Sequence, residues 1–119
     1  MKTAYILFAH GSSVASANDA VRAVAATLPD AEAAFLEQGR PNLEEAVAAL
    51  AAQGATRIAV IPYFLTLGLH MQRDLPRIID RLAGIYPGVE IRVTAPLDGH
   101  PALATIVRDR AAQAFPGKE

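Results

Sequence analysis

"RIAVIPYFLTLGLHMQRDLP", residues 57–76, opens as a strand and closes as a helix. Ile58 to Leu65 form a short apolar run rich in branched and aromatic side chains, which is the composition of a buried strand. Pro62 has no backbone N–H to donate, so it belongs near the exit end of that strand. Gly68 and His70 lie in a brief interruption. Asp74 is then the expected cap of a helix over 75–86, "LPRIIDRLAGIY", with Pro76 harmless in its first turn. A strand feeding a helix through a short loop is half of a parallel β-α-β unit.

The same pattern recurs on both sides. "TAYILFA", residues 3–9, is a continuous apolar run closed by His10-Gly11. Val14, Val21, Val24, Ala25 and Leu28 follow near helical spacing, with Ser12 or Ser13 as the expected N-cap and Pro29-Asp30 as the stop. A weaker strand is expected at 31–37, "AEAAFLE". Pro41 opens a second helix, "PNLEEAVAALAAQ", with acidic residues in its first turn, where the helix dipole favours them. Gly54 closes it. After the Pro87-Gly88 turn, "VEIRVTAPL" (89–97) reads as a fourth strand and "HPALATIVRDRAAQAF" (100–115) as a last helix, and the tail to 119 is expected to fray. Four strands alternating with four helices imply one α/β domain spanning 1–119. The expected form is a doubly wound, four-stranded parallel sheet of flavodoxin-like topology, with helices on both faces. The apolar strand runs predict strands buried on both faces.

Composition narrows the function classes. Hydrophobic residues make up 52% of the 119 and charged residues 19%, which suits a folded globular chain. A net charge of −1 provides no global basic field for nucleic acid or anionic lipid, so any acidic ligand must meet locally placed arginines. Without cysteine there are no disulfides, thiolate metal sites or cysteine nucleophiles. No stretch reaches membrane-spanning length, and the opening apolar run is too short and poorly flanked for a signal peptide, so a cytoplasmic protein is expected.

In a doubly wound sheet, ligands bind beyond the carboxyl ends of the strands. All three histidines of the chain fall at that edge. His10 leaves the first strand before a permissive glycine; it reads equally as a loop-bonding histidine or as a ligand. Glu37 leaves the second strand and becomes a candidate proton acceptor or auxiliary ligand beside His10 and His70. Leu65, Leu67 and Leu69 alternate with Thr66 and Gly68, offering an apolar surface beside His70, although Leu65 also reads as core. Met71 reads as packing rather than as a metal ligand. Arg40, Arg73 and Arg77 are candidates to meet carboxylates. His100 precedes Pro101 at a helix start, where capping or exposure is the default. Two imidazoles and a carboxylate suit a borderline divalent cation better than magnesium, and so few donors make a weak, open site.

"AHGS", "FLEQGRPNLEEAV", "RIAVIPYFLTLGLHMQRDLP" and "PLDGHPAL" together resemble the small class II chelatases, a group that includes the CbiX-type sirohydrochlorin cobaltochelatases, SirB-type ferrochelatases and archaeal nickel chelatases. The most specific part is the first-strand histidine paired with Gly68, His70, Asp74 and Pro76. The resemblance implies insertion of a divalent metal into sirohydrochlorin, with Co²⁺ first and Fe²⁺ or Ni²⁺ as alternatives, and with no organic cofactor. It implies that His10 and His70 bind the metal and help take protons from the macrocycle. It further implies that Glu37 shares their site, that Leu65 to Leu69 line the tetrapyrrole, and that the chain acts as a homodimer. Two positions depart from the pattern: Ser13 stands where relatives often carry arginine, and Arg40 precedes Pro41 where they often carry glutamate.

Two other readings compete. A non-catalytic nickel- or cobalt-handling protein would use the same histidines. A phosphate- or flavin-binding module would use Gly11-Ser12-Ser13 as an anion cradle, but that loop lacks the length flavin binding needs. A histidine phosphatase is disfavoured because Ala9 precedes His10 where that chemistry wants arginine.

Overall fold

The computed structural model describes residues 1–117, and in it strands and helices alternate throughout: β1 (Lys2–Ala9), α1 (Ala15–Ala25), β2 (Ala31–Phe35), α2 (Leu43–Ala52), β3 (Ala55–Pro62), α3 (Leu69–Ile85), β4 (Glu90–Val93) and α4 (Ala102–Ala114). The four strands form one parallel sheet in the order β2-β1-β3-β4. The chain passes from β1 to β2 on one side and later to β3 on the other, so the direction of winding reverses at β1 and β3. In sheets of this kind, ligands gather beyond the strand ends at that reversal.

The period-two alternation of β1 divides the core. Ala4, Ile6 and Phe8 point to one face and pack with Leu43, Ala46, Val47 and Leu50 of α2 and with Leu75, Ile79 and Leu82 of α3. Leu7 and Ala9 point to the other, where Ala33 and Phe35 of β2 meet Val21 and Ala25 of α1. Helices thus pack on both faces, α2 and α3 on one and α1 on the other, as the sequence implies. The α2 start is secured by a reciprocal capping box, in which Asn42 accepts from the Glu45 N–H and the Glu45 side chain accepts from the Asn42 N–H.

Four expectations need correction. The third helix begins at Leu69 with Gly68 as its cap, so Asp74 lies inside the helix and is no cap. Pro76 is likewise in the helix interior, where its ring leaves the Gln72 carbonyl without its main-chain donor. The N-cap of α1 is Val14 rather than a serine, and Ser12 Oγ instead accepts from the Val14 N–H at 3.0 Å. β4 is a short edge strand, and β3 is not buried on both faces: Arg57, Glu90 and Arg92 are exposed. The physical reason for that open face is α4. It buries none of its residues, so the α1 side of β3 and β4 lacks the helix that a fully wrapped sheet would have there. The helix ends at Ala114; of the tail expected to fray, Lys118 and Glu119 lie outside the described residues.

Candidate metal and macrocycle site

β1 delivers His10 to the edge from between two neighbours. The parallel ladder with β2 runs on past the strands, because the Leu36 N–H donates to the Ala9 carbonyl at 2.9 Å and the Glu37 N–H to the His10 carbonyl at 3.0 Å. Gly11 makes this close approach possible, with φ at +93° in a region that side chains disfavour.

The result is a side-chain pair. His10 Nδ1 lies 3.3 Å from the Gly11 carbonyl, an acceptor only, so Nδ1 carries the proton and Nε2 presents its lone pair. That nitrogen faces Glu37 Oε2 at 3.5 Å, and the two side chains are 59% and 57% exposed. In the neutral ring that lone pair can sit opposite a carboxylate only with a cation between them, while a second proton on Nε2 would bridge the two equally well. A tetrahedral divalent ion with bonds of about 2.0–2.2 Å holds two donors roughly 3.4 Å apart, which is the spacing found.

His70 occupies the first turn of α3 and is therefore helical rather than in the loop. Arg73, one turn on, points its guanidinium at His70 Nδ1 across 3.1 Å and also reaches Asp74 Oδ1 at 3.3 Å. Guanidinium can only donate, so Nδ1 is the accepting nitrogen and the neutral ring carries its proton on Nε2. Among the described residues, no three His, Cys, Asp or Glu side chains gather closely enough to hold a metal ion. His10 and Glu37 form a pair, and His70 stands with Arg73.

The segment from Leu65 to Leu69 presents apolar surface. Leu65 is 64% exposed and Leu69 83%, and Thr66 and Gly68 are exposed too, whereas Leu67 packs against the core cluster together with Phe64 and Met71. The loop is fastened rather than loose: Gln72 Nε2 donates to the Leu67 carbonyl at 2.8 Å, and the Asp98 N–H donates to the Leu65 carbonyl at 2.8 Å. Arg40 pairs with Glu45, and Arg77 is exposed. The backbone N–H of Asn42 and, secondarily, Arg40 hold the Glu45 carboxyl below the usual carboxylate range. His100 stands just before Pro101, the N-cap of α4, and its Nδ1 accepts from the Ala102 N–H at 3.0 Å.

Sequence reasoning passed over Asn18, which is buried between the His10 and Glu37 loops. The available signal was its spacing: Asn18, Val21 and Ala25 share one helical face, where a polar amide must find partners.

The family model described as CbiX matches residues 4–114. The chain is 36% identical to the sirohydrochlorin ferrochelatase of Bacillus subtilis, over 82% of this chain and 40% of that protein. It is 31% identical to the sirohydrochlorin cobaltochelatase of Methanothermobacter thermautotrophicus, over 96% of this chain and 94% of that one. The chain thus spans only 31% to 40% of the ferrochelatases it matches. Among solved structures, a putative cobalamin biosynthesis CbiX protein from Marinobacter aquaeolei superposes with a TM-score of 0.85 at 31% identity, covering 96% of this chain and 98% of that one. SirB from Bacillus subtilis, solved with Fe³⁺, gives 0.82 at 33% identity, with all of this chain covering 50% of that one.

Proposed function

Because the chain belongs to the CbiX family, we propose that it is a sirohydrochlorin chelatase, inserting a divalent metal into the macrocycle with release of two pyrrole protons. The observation that carries this reading is the open His10–Glu37 pair, spaced for one cation and exposed enough to release it. A closed four-donor site would retain its metal, whereas two donors hold it loosely. The names of the relatives, all chelatases, favour this over a non-catalytic metal carrier.

In the reaction, the metal is substrate and passes from His10 Nε2 and Glu37 to the pyrrole nitrogens. The carboxylate, once free of metal, accepts one of the displaced protons. His70 Nδ1, uncovered once Arg73 has moved away, is a further donor to the metal and, when the metal has left, accepts the second proton. Exposed Leu65 and Leu69, with Leu67 beneath, support the flat face of the macrocycle, while Arg40, Arg73 and Arg77 meet its peripheral carboxylates. An acidic substrate that draws Arg73 to itself also uncovers His70, which couples substrate arrival to the readiness of the base.

Co²⁺ is assigned as the physiological metal, with Fe²⁺ and Ni²⁺ as alternatives; imidazole and carboxylate donors accept all three. The chain acts as a homodimer in a cytoplasmic setting. Support for pairing comes from α4, which leaves an apolar groove of about 400 Å³ beside Val24, Tyr63, Leu97 and Leu103, and from the SirB relative, in which this fold covers half the chain. Among the described residues, no helix is long and apolar enough to cross a membrane.

Anaerobic incubation with sirohydrochlorin and each metal, followed by absorbance, tests the reading. Acceleration above the protein-free rate is expected, greatest for Co²⁺. No acceleration with any metal would favour the carrier.

A further inference from the structure

Asn18 is the one buried polar side chain among the described residues, and from α1 its bonds reach two loops. Its Oδ1 accepts from the Ser12 N–H at 3.0 Å, and its Nδ2 donates to the Ser12 carbonyl at 2.9 Å and to the Gln38 carbonyl at 2.9 Å. Ser12 lies two residues beyond His10, and Gln38 one residue beyond Glu37. Both loops are forced into tight paths there: Gln38 has φ at +54°, and a Cβ on Gly39 would come within 3.0 Å of Asn18 Nδ2. The amide uses both donors and its acceptor, so its geometry is fully specified.

We propose that Asn18 is a positioning residue that sets the separation of His10 and Glu37 by tying their loops to α1. The inference rests on the chelatase reading for its consequence, because a two-donor seat works only at a fixed spacing. A group rigidly placed on a helix transmits that rigidity to loops it bonds, whereas loops held by solvent would vary in spacing.

Asn18→Asp is the sharpest variant. It preserves size and the acceptor for Ser12, but it turns an oxygen towards the two carbonyls that the amide served. Asn18→Ser, too short to bridge to Gln38, is the second variant should the first not fold. Val47→Ala, a core truncation in α2 remote from these loops, is the comparison for lost stability alone. Titration with Co²⁺ alone is expected to show tenfold or weaker binding in the Asn18 variant and wild-type affinity in Val47→Ala. Amide exchange provides a readout that needs neither metal nor turnover. The Glu37 N–H, which bonds the His10 carbonyl and never touches Asn18, is expected to lose protection beyond any global destabilisation. Wild-type Co²⁺ affinity with full Glu37 protection in a folded Asn18 variant would overturn the proposal, as would equal losses in Val47→Ala. Wild-type protein that binds no Co²⁺ would instead remove the metal-seat reading, and Glu37 protection would still decide whether Asn18 fixes the loops.

Discussion

A Cβ placed on Gly11 would lie 1.7 Å from the carbonyl oxygen of Glu37. The two loops that carry His10 and Glu37 are therefore in backbone contact, and only the missing side chain at Gly11 allows it. Gly11→Ala must force them apart while also straining φ at +93°. We expect a loss of about 2 kcal/mol or more in denaturant unfolding. Metal insertion should fall at least tenfold even at temperatures where the variant remains folded.

Arg73 lies 3.1 Å from the His70 nitrogen that the proposed reaction needs free for a metal or a proton. Arg73→Ala should therefore tighten Co²⁺ binding several-fold in a direct titration. The same variant should raise KM for sirohydrochlorin, because a guanidinium that could meet its carboxylates is gone. Opposite signs for metal and macrocycle distinguish this role from general damage.

Leu69 is 83% exposed in the first turn of α3, so it contributes little to the core. Leu69→Asn should leave the melting temperature nearly unchanged and raise KM for the macrocycle several-fold. An equal loss of stability would mean that the side chain is packed rather than presented.

The α2 cap makes stability depend on pH. The Asn42 backbone N–H, and then Arg40, hold the Glu45 carboxyl below its ordinary value of 4.5, so protons bind the unfolded chain more tightly than the folded one. This stabilisation is complete above that ordinary value and is lost as pH falls through the lower folded one. Glu45→Gln should flatten the acid side of a stability–pH profile. Asn42→Ala should cost about 1 kcal/mol at neutral pH.

The parallel sheet was legible because its strands are short apolar runs alternating with helix-length segments, and the positions of His10 and Glu37 followed from two strand exits. The start of α3 was not. Gly68 caps it without a side chain, while Asp74 and Pro76 mimic a helix beginning six residues later. That displacement also hid the His70–Arg73 contact, since residues three apart meet only when both are helical. The presence of α4 was readable from its sequence. Its failure to cover β3 and β4 was not, because packing of a terminal helix depends on where the preceding loop sends it.

Two ligands separated in sequence but joined by one cation should lose function together, and insertion of Co²⁺ into sirohydrochlorin by His10→Ala and Glu37→Gln measures this most directly. Both side chains are more than half exposed, so neither change should unfold the protein. We expect each to lower the rate a hundredfold or more, with little further loss in the double variant. Wild-type insertion by folded His10→Ala would contradict the account.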